Sequence, residues 1–568
     1  MWLKMQIVNE NNLGEFLERK ALKCKEAIKQ NASLLNRFLN LCLVFDECKD
    51  DLDNAHILEC SSFKELFLKK AKEEDGYFKI TQDIKALDFM QLNFLVNQCA
   101  NFLKSQGLKV NDKVASFLQN SLEFVILYFA CFKSGIIFVP VNACYKEDEL
   151  AYIYEKTKFN YIVAEDELLA YVKCDVLKLA KSSFLTSILK HKKDFIMPKI
   201  NPLDLAMILF TSGTTAKPKG CKITHYNLLF AGYFTLHQIG LRQNEVFLSS
   251  MPNWHIDLQA TALMPSLRAN ACFVLLKRFS ARRFWQQIVF YEANISEVVP
   301  KMIELIKLQN KFAREKKHKL RFLLYFLNMS NEKYLEFKKR FKVDLFTSYG
   351  LSESIVGCIG DNYYEKMSYP AIGKVFFAYE VIVANIKENK LIPLKANELG
   401  TICIKGRLGY ELFAGYYEDE LNTKNSFIDG YFISNDIGYF DENALFYFFS
   451  RNKDLIKING ENISSLEIEN LLSSHKKINN ASVICISDAL ACDKIIAFLE
   501  LKDYPYEEEV NILQKNKELK QIEKELIALN LHLAKFKQVS EFIFLNHLPR
   551  NYLGKVRKNV LGEIYGRN

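Results

Sequence analysis

The stretch Thr211 to Gly220, TSGTTAKPKG, constrains the chain more than any other. Two glycines, one proline, two lysines and four hydroxyl side chains fill these ten residues. Directly before them, Leu205 to Phe210 (LAMILF) is a continuous apolar run of the kind a buried strand needs. After them, Lys222 to Leu229 (KITHYNLL) reads as a second short run that enters a helix. A loop rich in hydroxyls and glycine therefore sits where a strand ends. Gly213 and Gly220 let backbone approach a ligand closely. Successive N–H groups and the hydroxyls of Thr211, Ser212, Thr214 and Thr215 can cradle phosphate oxygens, with Lys217 and Lys219 balancing the charge. The same residues are also ordinary turn formers. The loop is not the GxxxxGK[ST] type, because its glycines are seven apart and no GK[ST] follows.

The rest of the chain is globular in composition. Hydrophobic residues make up 49% and charged residues 25%, enough for a large core and too apolar for disorder. The net charge of +9 is spread along the chain without a basic block, so it implies a solvated surface and no nucleic-acid partner. Fourteen cysteines show no CxxC pair, and most lie in apolar runs such as FACF and TICIKG. They read as buried free thiols in a reducing cytoplasm. The opening MWLKMQIVNENN lacks the apolar core of a signal peptide. The longest apolar run, Phe124 to Phe132, is far short of a membrane span.

Residues 1 to 80 say least: Lys20 to Lys29 and Ser62 to Asp75 read as amphipathic helices, and Leu34 to Leu43 is too apolar to be exposed alone. From Asn93 to Asn142 a helix, a glycine turn, a strand, a helix and a strand ending in VPVN follow in turn. Strands alternate with helices as far as Val289, which predicts parallel βαβ units.

The decapeptide resembles the signature loop of the adenylate-forming superfamily, which includes acyl-CoA synthetases, luciferases and peptide-synthetase adenylation domains. Further stretches, in the family's order, strengthen the likeness. MPNWHIDLQ places Trp254 and His255 where the family carries an aromatic–His pair on the floor of its acyl pocket, and His255 would meet the substrate carboxylate. His318, in a lysine-rich stretch, reads as surface. TSYGLSE resembles the second nucleotide motif, which implies that Tyr349 stacks on adenine, Gly350 permits close approach, and Glu353 joins Thr214 in holding Mg²⁺. GTICIKG, GYYEDELNT and DGYFISND resemble GELxIKG, GYxxxxxxT and DGWFxTGD, and place Asp436 on both ribose hydroxyls. Asn435 stands where the family usually has glycine.

RNKDLIKINGE resembles the family's interdomain hinge. The resemblance implies that Arg451 touches ribose or phosphate, Lys453 is the hinge, Lys457 lies near the nucleotide, and Gly460 and Glu461 border the thiol tunnel. LPRNYLGKVRKN puts Lys555 at the place of the catalytic lysine. Together these imply an α/β enzyme with a large AMP-binding domain of βαβ units and parallel sheets over residues 81 to 452. An α+β lid over 453 to 568 would follow it, with 1 to 80 as an extension.

The implied reaction is an acid–thiol ligation using ATP, Mg²⁺ and CoA, in the cytoplasm. THYNLLFAGY, HIDLQ, FSARRFWQQI, YFLNMS, SYGLSESIVGCIGD and GENISSLEIEN are similar to carnitine/crotonobetaine–CoA ligases. In YFLNMS, Asn328 and Met329 replace the usual glycine-rich turn and would reshape the acyl pocket, which points to a small polar or betaine acid. Three other readings stay open: loading of a carrier protein in place of CoA, a non-catalytic nucleotide-binding protein, and a luciferase-like oxygenating ligase.

Overall fold

The computed structural model describes residues 12–15, 17–20, 22, 41–46, 84–211, 218–311, 314–326, 331–451, 455–458, 461–486, 494–502, 504, 510–513, 516–531, 533, 537–550 and 556–566. The chain divides into two compact units. The first holds residues 1–327, 334–381 and 404–432, and the second 328–333, 382–403 and 433–568.

Two sheets form the first unit. In chain order its strands are β1 (Leu41–Asp46), β2 (Ile84–Asp88), β3 (Lys113–Phe117), β4 (Ile137–Pro140), β5 (Tyr161–Ala164), β6 (Leu177–Ala180), β7 (Leu205–Thr211) and β8 (Lys219–Thr224). They continue with β9 (Val246–Ser249), β10 (Cys272–Leu276), β11 (Ile295–Val298), β12 (Phe322–Tyr325), β13 (Leu345–Tyr349), β14 (Ile359–Gly360) and β15 (Lys374–Val375). One sheet runs β6-β5-β3-β4-β7-β8, and the other β15-β14-β13-β12-β11-β9-β10-β1-β2. Strands β3 to β7 pair in parallel through helical crossovers, as do β9 to β13. This is the βαβ pattern expected from the alternation of apolar runs and helices.

The helix Leu122–Ser134 shows why these layers hold. Its residues Leu122 to Lys133 are all buried, and it starts on the Ser121 side chain and stops on Gly135 at φ 67°. A helix apolar on every side belongs between other elements. Its one buried ammonium, Lys133, is satisfied by Glu18, Asn93 and Asn97. Glu18 thereby ties the N-terminal residues to this core. Of the cysteines among the described residues, Cys99, Cys131, Cys221, Cys272, Cys358 and Cys403 are buried free thiols. His318 is half-buried, where the lysines around it suggested surface: its Nε2 lies 2.7 Å from the Phe341 carbonyl and its ring meets Trp285 edge-on.

In the second unit, β16 (Glu380–Lys387) turns back on β17 (Lys390–Pro393), and β20 (Tyr431–Phe440) pairs with β21 (Phe446–Arg451). The strand β18 (Gly400–Lys405) and, among the first unit's residues, β19 (Phe427–Ile428) precede β20 in the chain, and β22 (Leu455–Ile458) and β23 (Glu461–Ser464) follow β21 as a hairpin. Then β24 (Ile478–Ile486), β25 (Lys494–Leu501) and β26 (Glu541–Leu545) make a three-stranded sheet. The helices Ser465–Ser473 and Lys517–Asn530 close its core through Ile468, Leu472, Leu519, Ile522 and Leu526. Among the described residues no helix is long and apolar enough to cross a membrane.

Candidate active site

The decapeptide is the loop of a β-hairpin. Strand β7 pairs antiparallel with β8, Phe210 opposite Gly220 and Thr211 opposite Lys219. Ser212, Gly213, Thr214, Thr215 and Lys217 lie outside the described residues, so only the loop's two stems are seen. Both are clamped. Thr211 Oγ1 lies 3.4 Å from the Lys219 carbonyl, and Tyr152 donates to the Pro218 carbonyl at 2.9 Å. On its far side β8 is flanked by the segment 414–417: Lys222 N–H donates to Gly415 O at 2.9 Å, Ala414 N–H to Lys222 O at 2.8 Å, and Tyr417 N–H to Gly220 O at 2.7 Å. These backbone bonds deliver Tyr416 to the hairpin.

Tyr416 joins two of the expected residues. Its hydroxyl donates to Glu353 Oε1 at 2.8 Å, and Lys219 Nζ stands 4.9 Å from its ring centroid. Lys219 also reaches Asn422 Oδ1 at 3.4 Å, and Asn422 is held by Asp419 at 2.8 Å. Burial first, and then the charge of Glu353, push the Tyr416 phenol well above its ordinary range, so it stays a donor. The same two causes, in the same order, keep the Cys221 thiol beneath it protonated. The site thus places one carboxylate and one ammonium on either side of a phenol, at the root of a phosphate-type loop.

Glu353 is held from its own chain as well. It follows β13 in a short helical turn, and its carbonyl accepts the Phe413 N–H at 2.9 Å. Two residues on, Ile355 takes φ 66° and ψ −48°, and Val356 N–H reaches Ser354 O at 2.7 Å. That is a γ-turn of the rare positive-φ kind, on a β-branched residue, a conformation that costs about 1–3 kcal/mol and persists only where neighbours enforce it. The buried Tyr379 enforces it, its hydroxyl 2.7 Å from the Ser354 carbonyl. Tyr349 ends β13, and Gly350 follows. A Cβ on Gly350 would lie 2.5 Å from the Val356 carbonyl oxygen, so the turn between Tyr349 and Glu353 requires glycine there.

Trp254 and His255 lie in the connection after β9, just ahead of a π-helix at Asp257–Leu263. Burial lowers the His255 pKa to about 4, so its imidazole is neutral and offers a single N–H without a charge. Neither His255 Nε2 nor Trp254 Nε1 has a hydrogen-bond partner among the described residues.

In the second unit Asp436 is 3% exposed in β20, its backbone N–H donating to Ser434 Oγ at 3.0 Å. Asn435 has φ 58°. It therefore adopts the left-handed backbone that glycine would take there, which asparagine tolerates better than most side chains. Arg451 ends β21, Lys457 lies in β22 and Glu461 begins β23. Asn328, Met329, Lys453, Gly460 and Lys555 lie outside the described residues.

Residues 67–417 match the model of the AMP-binding enzyme family, and residues 467–555 that of the AMP-binding enzyme C-terminal domain. The chain belongs to the AMP-binding enzyme family. A crotonobetaine/carnitine–CoA ligase of Salmonella heidelberg is 37% identical over 500 residues, 84% of this chain and 93% of that one. Among solved structures, the ATP-bound RpMatB-BxBclM chimera B1 is similar with TM-score 0.76 at 25% identity, over 85% of this chain and 94% of the other. O-succinylbenzoate coenzyme A synthetase (MenE) of Bacillus subtilis, in complex with AMP, has TM-score 0.71 at 25% identity, over 84% and 93%.

Sequence reasoning did not single out Tyr416, Asn422, Ser249 or Glu297. Tyr416 had a signal, since it stands in the GYYEDELNT stretch that resembles a family motif. Glu297 had one too: an acid inside the apolar run Ile295 to Val299.

Proposed function

We propose that this AMP-binding enzyme is an ATP-dependent acid–CoA ligase acting on a small carboxylic acid with a quaternary ammonium group. The observation that carries the reading is the Lys219–Tyr416–Glu353 arrangement at the stem of the hydroxyl-rich hairpin. It offers a cation for phosphate and an anion for a metal within one rigid frame. The betaine class is supported by the names of relatives that share more than a third of their residues with this chain.

In the first half-reaction a carboxylate oxygen attacks the α-phosphorus of ATP, the bond to the bridging oxygen breaks, and pyrophosphate leaves. Lys219 meets the phosphates, and Lys555 offsets the charge that gathers between carboxylate and α-phosphate. Tyr349 stacks on adenine and Asp436 holds the ribose hydroxyls. In the second, a thiol attacks the carbonyl carbon and AMP leaves. Catalysis here is positioning plus charge stabilisation.

Mg²⁺ fits the residues present. Glu353 accepts a hydrogen bond from the Tyr416 phenol, and no group of three His, Cys, Asp or Glu side chains among the described residues could cage an ion alone. A single carboxylate shared with phosphate oxygens and water is the usual Mg²⁺ arrangement. The ion, when bound, supplies charge neutralisation to the phosphates; Glu353 is the residue that would hold it, with Thr214.

The test is ATP–pyrophosphate exchange across short polar, betaine and fatty acids, followed by thioester formation with CoA or a carrier protein. Acid-dependent exchange and CoA thioester are the expected results. Thioester on carrier protein alone would move the acceptor assignment, and absence of exchange with every acid would defeat the ligase reading.

A further inference from the structure

Glu297 is a carboxylate at the C-terminal end of the larger sheet. It is the third residue of β11 and is 0% exposed. Strand β11 pairs with β9 and β12, with Ser296 opposite Leu248 and Glu297 opposite Leu324. Oε1 accepts a hydrogen bond from Ser249 Oγ, at the end of β9, and Ser249 in turn accepts the Met251 N–H at 3.1 Å. Oε2 has no hydrogen-bond partner among the described residues. The charged neighbour that acts on Glu297 is Asp257, a second acid, at the start of the π-helix. An ionised carboxylate buried this way costs several kcal/mol unless a cation meets it.

The connection that follows Ser249 points to the kind of cation Glu297 would meet. The connection from β9 to the π-helix carries Trp254 and His255, ring centroids 6.4 Å apart, each with a buried nitrogen lacking a partner among the described residues. The C-terminal ends of parallel strands are where α/β folds receive ligands. Aromatic rings on the connection that follows the acid's Ser249 partner suit a cation that has no N–H to donate.

We propose that Glu297 determines the acid specificity of the ligase, its carboxylate meeting a quaternary ammonium group at the far end of the substrate. This rests on the acid–CoA ligase reading and adds the residue that recognises the cation. Burial, and after it Asp257, raise the Glu297 pKa to about 8, so the acid is neutral on its own and an incoming cation favours the anion.

The experiment uses the full chain and two acids of one shape, 4-trimethylammoniobutanoate and its neutral isostere 5,5-dimethylhexanoate, in pyrophosphate exchange. Wild type favours the cation. Glu297→Gln lowers kcat/KM for the cation by about 10²-fold, mainly through KM, and leaves the isostere unchanged or improved. Glu297→Asp, which keeps the charge, recovers part of the loss and is the second arm should the Gln variant fold poorly. An equal loss for both acids in the Gln and Asp variants would make Glu297 structural and overturn the proposal. So would a wild-type preference for the isostere; exchange with octanoate in that case keeps the ligase reading alive. Exchange with no acid at all removes the ligase reading, and this inference with it.

Discussion

The Tyr416 phenol donates to the Glu353 carboxylate at 2.8 Å, although the two residues are 63 positions apart in the chain. Phe413 and Glu353 are joined in addition through backbone at 2.9 Å, so the two segments are registered before any ligand arrives.

Tyr416→Phe keeps the ring under Lys219 and removes one hydrogen bond to a charged group. Such bonds are worth about 1.5–3 kcal/mol. The Mg²⁺ concentration for half-maximal pyrophosphate exchange is expected to shift by about 10-fold, with the melting temperature little changed. An unaltered Mg²⁺ titration would separate Tyr416 from the metal.

Gly350→Ala puts a methyl 2.5 Å from a backbone oxygen of the γ-turn. Overpacking of this kind costs about 1–3 kcal/mol. The backbone that sets Tyr349 and Glu353 must move, so binding of a non-hydrolysable ATP analogue should weaken as the melting point falls. Calorimetry of the folded variant reads both.

Asn435 in its left-handed conformation gives a contrast within one position. Asn435→Gly should be nearly neutral, and Asn435→Val should lose about 1–2 kcal/mol, because a β-branched residue is strained there. Denaturant titration of the two variants distinguishes them; equal stability would mean the backbone relaxes out of that region.

Acid lability follows from His225. Its ring is fully buried, its Nδ1 accepts the Leu13 N–H at 3.4 Å, and Phe132 covers it edge-on. Burial lowers its pKa from 6.5 to about 4, with Asp204 opposing. Below 6.5 the unfolded chain binds a proton that the folded chain refuses, so stability is full above 6.5 and falls as pH drops toward 4. The loss is on the order of 3 kcal/mol. His225→Gln should flatten that part of a plot of unfolding free energy against pH.

Lys555→Ala should depress adenylate formation by ~10²-fold or more while sparing thioester formation from a supplied acyl-adenylate, the scale for removing a charge used in the transition state. Equal loss in both half-reactions would remove Lys555 from the first step.

The parallel architecture was legible because apolar runs such as Leu205 to Phe210 alternate with helical periods, and burial on both faces of a sheet leaves that imprint. Thr211, Lys219, Tyr349 and Glu353 were legible as local words around strand ends. Tyr416 was harder: its partner is chosen by the pairing of residues 414–417 with β8, a long-range register that no local spacing encodes. The γ-turn at Ile355 was hidden outright, since isoleucine signals a strand, and contacts from the Tyr379 and Ser354 side chains hold it elsewhere. Glu297 takes its partner, Ser249, from the neighbouring strand β9, a pairing of β9 with β11 that no local spacing encodes.

The π-helix at Asp257–Leu263 ends where Met264 N–H reaches back five residues to Gln259 O. It is in effect a regular helix carrying one surplus residue. Deleting that residue would restore the ordinary winding and leave the turns on either side in register, so the change would fall on the wide turn itself, between Asp257 and Met264. A three-base deletion in this part of the gene would therefore be absorbed, where the same deletion in a regular helix would turn everything upstream by ~100° about the axis.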